Sequence, residues 1–215
     1  MSRTLRVAAL ASGRGSNLAA LIAARDAGRL PIEFTLVGSD RKQAGALAIA
    51  EAAGIPTVAL GPRDYATRAD FDAALFGRVA DSGADLLVLA GYMRIVDAGV
   101  VAAWEGRAIN VHPSLLPKYR GLHTHRRCLE AGDTEHGASV HFVTAELDGG
   151  PVIAQARIAV RPGDTEDDLA TRLLVEEHKL LPAVVGAIAT GRLCWQEGPV
   201  FDGTPLTRPL ALTDL

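Results

Sequence analysis

Residues 5–18 read Leu5-Arg-Val-Ala-Ala-Leu-Ala-Ser-Gly-Arg-Gly-Ser-Asn-Leu18, and the reading of this stretch decides the fold. Residues 5–10 are an apolar run of strand length, two glycines interrupt it, and from Asn17 the apolar spacing becomes helical. A strand, a glycine turn and a helix in that order open a βαβ unit. The same texture continues outward. Apolar runs at residues 34–37, 56–60, 86–90 and 108–111 alternate with helical patterns at 17–27, 44–53 and 69–82, the last with Phe71, Leu75 and Val79 on one face. Strands apolar on both sides and separated by helices predict a parallel sheet covered on both faces. Beyond Pro117 the texture changes to a short helix at 123–131, then strands at 136–144 and 152–160. Between those strands lies Glu146-Leu-Asp-Gly-Gly150, whose Asp-Gly signals a hairpin. A long helix at 165–190 begins with Thr165 or Asp164 as cap and acids in its first turn. Residues 193–195 and 199–201 suit a small hairpin. The expected class is α/β: a Rossmann-like, open, mostly parallel twisted sheet flanked by helices, with an antiparallel hairpin in the C-terminal half.

The 215 residues carry 48% hydrophobic and 22% charged side chains, which suits an ordinary globular core. A net charge of −3 gives no basic field to draw in nucleic acid or an anionic membrane. Cys128 and Cys194 form no C-x-x-C pair, as expected of a reducing compartment. The N-terminal stretch up to Gly13 faintly imitates a signal peptide, but its apolar run is too short and ends in a turn. No apolar stretch approaches the roughly 20 residues that span a bilayer. These features predict a cytoplasmic protein without repeats or linkers.

Two features carry chemistry. At the strand–helix junction, glycines expose backbone N–H groups and the helix N-terminus favours an anion, so Gly13, Gly15, Ser16 and Asn17 suit a phosphate, with Ser16 and Asn17 as cap and donors. A dinucleotide fingerprint would place a small residue where Leu18 stands, which weakens an NAD site without excluding it, since Asp40 ends the second strand. The second feature is Ile109-Asn-Val-His-Pro-Ser-Leu-Leu-Pro117. Asn110 and His112 share one side of a strand end while Val111 points to the core. Carboxyl ends of parallel strands are where open α/β sheets bind ligands. His123, His125, His136, His141 and His178 form no metal-binding spacing, and no G-x-S-x-G elbow supports a serine triad. Asp148 alone reads as turn chemistry.

The ordered motifs Ala11-Ser-Gly-Arg-Gly-Ser-Asn17, Leu89-Ala-Gly-Tyr-Met-Arg-Ile95, Ile109 to Gly121, His136-Gly-Ala-Ser-Val-His-Phe-Val143 and Glu146-Leu-Asp-Gly-Gly-Pro-Val-Ile153 resemble the phosphoribosylglycinamide formyltransferase family of purine synthesis, from about Arg6 to Trp195. Part of the signal is shared with formyltransferases acting on initiator tRNA or sugar nucleotides and with formyltetrahydrofolate hydrolases. The loop at Gly13–Asn17, the segment Gly121-Leu-His-Thr-His125, and the expected absence of a basic C-terminal or regulatory N-terminal domain separate this chain from them.

The resemblance implies one formyltransferase domain over residues 1–215, with a phosphate-binding half (1–103) and a folate-binding, catalytic half (104–215). It implies 10-formyltetrahydrofolate as co-substrate, glycinamide ribonucleotide as acceptor, no metal, no nucleic acid, no membrane, and a monomer or homodimer. The acceptor amine would attack the formyl carbon, with Asn110 and protonated His112 stabilising the oxyanion and Asp148 orienting His112 and a proton-carrying water. Gly13, Gly15, Ser16, Asn17 and Glu177 would bind the ribonucleotide, although spacing alone does not separate Glu177 from Glu176. Arg68, Met93, Arg94, Ile95, Val96 and Val101 would meet the folate, as would Asn110, Val143, Thr144, Ala145, Glu146, Leu147 and Asp148. The alternatives are a folate-dependent formyltransferase for another amine, or a nucleotide-binding regulatory module.

Overall fold

The computed structural model describes residues 4–215, so residues 1–3 of the signal-like stretch lie outside the described residues. The first half forms β1 (Leu5–Leu10), α1 (Ser16–Asp26), β2 (Ile32–Ser39), α2 (Gly45–Ala52), β3 (Thr57–Ala59), α3 (Arg68–Asp81), β4 (Leu86–Leu89) and α4 (Ala98–Ala102). Then come β5 (Ala108–His112), α5 (Thr124–Glu130), β6 (Glu135–Phe142), β7 (Val152–Ala159) and α6 (Glu166–Ala189). Short strands β8 (Leu193–Trp195), β9 (Pro199–Phe201), β10 (Thr204–Pro205) and β11 (Leu210–Ala211) complete the chain.

Eight strands make one sheet in the order β11-β7-β6-β5-β4-β1-β2-β3, and β8 to β10 make a separate three-stranded antiparallel sheet. Strands β1 to β5 are mutually parallel, and β6 runs antiparallel to both neighbours. The expected class is therefore the observed one. The chain winds outward from β1 to β3, then returns to place β4 on the other side of β1. That reversal is the switch point where the loops after β1 and β4 lie side by side and open a crevice.

Strand side chains alternate between two cores. Val7, Ala9, Val88, Ile109 and Val111 pack with the helices α1, α2 and α6, whereas Ala8, Leu10, Leu87 and Ala108 pack with α3. Two buried faces explain why the strands read as continuous apolar runs. The same alternation aims Asn110 and His112 to the side of Ala108, away from Val111.

Several boundaries differ from the sequence reading, most by a residue or two. Strand β6 stops at Phe142 rather than residue 144, because Gly150 brings its backbone against the Phe142 carbonyl. A Cβ at Gly150 would sit 1.9 Å from that oxygen, so no other residue fits without displacing the strand end. The connection to β7 is thus a broad loop, not a tight turn. Helix α1 starts with Gly15 as N-cap at φ 83, without a side-chain cap, so Ser16 and Asn17 do not cap it. Helix α4 and strand β11 are too short to show a period.

Leu173 is fully buried on the face of α6 that covers the sheet. Leu173→Ala should lower unfolding free energy by about 2–5 kcal/mol, read from denaturant midpoints at unchanged slope.

Candidate active site

The Gly-rich loop, the segment after β4, the end of β5 and the β6–β7 connection meet at the crevice. Ser12 joins the first two: its N–H donates to the Gly91 carbonyl at 3.0 Å, and its Oγ accepts from the Met93 N–H at 2.9 Å. Gly15 is required here, since a Cβ would lie 2.6 Å from the Ala46 Cα. On its outer side the loop, with Arg14, Arg41 and Lys42, lines an open basin of about 610 Å³. Arg41 and Lys42 come from the end of β2, where no motif marks them.

Asn17 and Glu177, 160 positions apart, meet in a buried hydrogen bond, with Asn17 Nδ2 donating to Glu177 Oε2 at 2.8 Å. Burial pushes the Glu177 carboxyl above its ordinary value, and the Asn17 amide opposes that shift. Glu176 instead pairs with Lys179 one turn along the helix surface. The structure thus separates the two glutamates that spacing left equivalent.

Asn110 and His112 end β5, and Asp148 reaches them from the β6–β7 connection. The carboxylate Oδ2 lies 3.4 Å from His112 Nδ1 and accepts the Gly121 N–H at 2.8 Å. Its Oδ1 lies 3.7 Å from His141 Nε2. Asp148 adopts φ 48, a left-handed conformation that aspartate tolerates better than most residues. His141 is the member of this group that sequence reasoning missed. It faces Asn110 across the β5–β6 ladder, and only that register could have revealed it. Its Nδ1–H donates to the Phe142 carbonyl at 2.8 Å, leaving Nε2 to accept an Asn110 amide N–H at 3.1 Å. The Asn110 amide carries a second hydrogen beyond this contact, and Asn110 lines the cleft.

His112 is held from both ends. Nε2 lies 2.9 Å from the Tyr119 carbonyl, while Nδ1 faces Asp148. Two oxygen neighbours suit a ring carrying both protons, but burial wins. It lowers the His112 pKa from its ordinary value, with the Tyr119 carbonyl and Asp148 opposing and His141 and Arg127 adding to the fall. The expectation that Asp148 would favour the imidazolium thus gives the right direction for one contribution but not the net result. For Asp148 itself, burial favours protonation, yet contacts with His141, the Gly121 N–H and His112 together hold its pKa below the ordinary value. It is ionised at neutral pH.

These groups border a cleft of about 640 Å³ that also takes in Met93, Arg94, Ile95, Leu122, His125 and Leu147. A smaller recess beside it is walled by Val96, Val101, Val143, Thr144, Ala145 and Glu146, with Asn110, Leu147 and Asp148 shared. Every residue expected at the folate lies on one of these two walls except Arg68, which is exposed at the first turn of α3. Glu146 is drawn toward the loop after β5 by an ion pair with Arg120. Behind the cleft, His125 Nδ1 and the buried His136 Nε2 are 2.9 Å apart. Among the described residues, no group of three or more His, Cys, Asp or Glu is arranged to hold a metal ion, and no helix is long and apolar enough to cross a membrane.

The chain matches the family described as Formyl transferase over residues 5–185. It is 45% identical over 203 residues to a phosphoribosylglycinamide formyltransferase of Escherichia coli, covering 94% of this chain and 96% of that one. A solved phosphoribosylglycinamide formyltransferase structure from Coxiella burnetii, in complex with CHES, superposes with a TM-score of 0.93 at 44% identity, covering 97% of this chain and 99% of that one. The chain is also 42% identical over 191 residues to the trifunctional purine biosynthetic protein adenosine-3 of Drosophila melanogaster, spanning 88% of this chain but 14% of that longer protein.

The histidine pair generates a pH prediction. Burial first, then the neighbouring His125, lower the His136 pKa from 6.5 to about 4. As pH falls below 6.5, the unfolded chain binds a proton at residue 136 that the folded chain refuses until about pH 4, so stability drops across that window. In His136→Gln the share of that decline due to residue 136, on the order of 3 kcal/mol, should be missing from unfolding free energies measured between those pH values, while the buried His112 keeps its own.

Proposed function

The chain belongs to the formyl transferase family, and from that premise we propose that it moves the formyl group of 10-formyltetrahydrofolate to the amine of glycinamide ribonucleotide. The products are N-formylglycinamide ribonucleotide and tetrahydrofolate, a step of purine biosynthesis. The observation that carries the assignment to these residues is the meeting of Asn110, His112 and Asp148 at one cleft, from segments that only the fold brings together.

In this reading the amine attacks the formyl carbon directly. The carbonyl π bond becomes the negative charge of a tetrahedral intermediate, and nitrogen becomes positive. The free Asn110 amide hydrogen and a protonated His112 would meet the oxyanion, among largely buried side chains where each donor is worth more than in solution. Burial holds the His112 pKa below its ordinary value, and the ionised Asp148 beside it opposes that fall without cancelling it, so the carboxylate favours the charged ring that the oxyanion would need. The same carboxylate can hold a water that takes the proton from the attacking amine and returns it to the departing folate nitrogen. Collapse of the intermediate then breaks the carbon–nitrogen bond to the folate.

We assign the acceptor phosphate to Gly13, Gly15, Ser16 and Asn17, a placement supported by the basic basin beside them. Glu177, buried against Asn17, would meet the glycinamide end. Residues 1–103 would supply the phosphate loop and residues 104–215 the catalytic side chains, each half lending contacts to the other's ligand. The folate would lie between the wall at 93–96 and the loop at 143–148, and Arg68 would join it only through its exposed side chain.

Purified protein mixed with both substrates should give tetrahydrofolate at a rate that vanishes when the ribonucleotide is omitted. Release without an acceptor would indicate hydrolysis instead. Asp148→Asn should fold and bind folate normally while turnover falls by at least about 10²–10³-fold. Its residual pH profile should shift to lower pH, because the charge that raises the His112 pKa is gone. Near-normal turnover would sink the role given to Asp148.

A further inference from the structure

Residues 91–97, between β4 and α4, have no regular secondary structure, yet 91–95 help to wall the cleft and Tyr92, Arg94, Ile95 and Val96 its recess, with Asp97 next in the chain. Such a stretch has few main-chain partners of its own, so its shape must be imposed from outside. At its start Ser12 does this through Gly91 and Met93. At its far end the Asp97 N–H donates to Oδ2 of Asp72 at 2.8 Å.

Asp72 is an unusual residue to find in that position. It sits on α3 with 0% exposure, among Phe71, Leu75 and Phe76, where a carboxylate is rarely found. Its other oxygen, the Tyr92 hydroxyl and Arg94 Nε are buried without a hydrogen-bond partner among the described residues. Arg94 lies over the Phe71 ring, 5.1 Å from its centroid. Burying a carboxylate for one backbone bond returns less than an apolar side chain would at the same place. Stability therefore does not account for Asp72, whereas the shape of the cleft wall does. Burial raises its pKa, while the Asp97 N–H and the charges of Arg68 and Arg94 pull it back.

We propose that Asp72 is a positioning residue for the formyl donor, fixing the far end of the wall at 93–97 through the Asp97 N–H. It touches neither substrate nor reacting atoms. The proposal rests on the reading of this wall as a folate site, and predicts that its loss weakens donor binding selectively.

Asp72→Ala should raise KM for 10-formyltetrahydrofolate about tenfold, the equivalent of about 1.4 kcal/mol and the size of one net hydrogen bond. Its kcat and its KM for the ribonucleotide should stay within about twofold. Asp72→Asn keeps an acceptor for the Asp97 N–H and should restore the donor KM. A second pair serves if Asp72→Ala fails to fold. Asp97 has φ −61, which proline can adopt, so Asp97→Pro deletes the N–H, while Asp97→Ala keeps it and loses the carboxylate that caps Gly99 and repels Asp72. The proline variant should reproduce the donor KM rise and the alanine variant should not. A parent protein that does not formylate the ribonucleotide overturns the functional reading and this inference with it. An active parent whose donor KM is unmoved, or variants losing kcat and both KM values together, overturn this inference alone.

Discussion

The Asp148 carboxylate is the contact on which the arrangement of the cleft depends. One oxygen serves the Gly121 N–H and His112 while the other faces His141. These partners come from the loop after β5, from the end of β5 and from β6. A single small anion thus sets the distance between a strand end, a loop and a broad connection that have no main-chain ladder in common at that point. Its left-handed backbone and the close approach of Gly150 two residues later show how tightly the connection must be folded to deliver it.

Burial and charge act against each other throughout this region. His112 is pushed toward neutrality by its surroundings and drawn back by Asp148 and the Tyr119 carbonyl. Asp148 feels the same desolvation but is rescued by donors. Glu177 is rescued less, with one amide against deep burial. The three groups therefore hold different proton affinities through the partners each receives, acceptors for His112 and donors for Asp148 and Glu177, not through depth alone.

Much of the fold was legible in the sequence because buried parallel strands and amphipathic helices each leave a periodic signature. The runs at residues 5–10, 86–90 and 108–111 fall on β1, β4 and β5 within a residue or two. The antiparallel pair β6 and β7 was equally visible, but its connection was not, since the Asp-Gly signal describes a tight turn and the chain makes a broad one. Strand alternation singles out Asn110 and His112, local turn chemistry the Gly-loop residues, and only the ordered motifs Asp148. His141, Asp72 and the partnership of Asn17 with Glu177 were out of reach for a shared reason. Each depends on which residue lies opposite in space, across a ladder, a helix face or a span of 160 positions, and a linear pattern carries no such information.

The two ends of the main sheet bear on how the molecule behaves in a crowded solution. One edge is β3, only three residues long. The other would be the eight-residue β7, but β11 covers it at Ala154 and Gln155. Past that cover stands Arg157, exposed and paired with Glu135 on the neighbouring strand. A short strand at one border, and a cap plus a charged sentinel at the other, leave little free backbone for a second molecule to extend the sheet. The C-terminal segment thus narrows the open edge of the sheet, a contribution far from the cleft and independent of its chemistry.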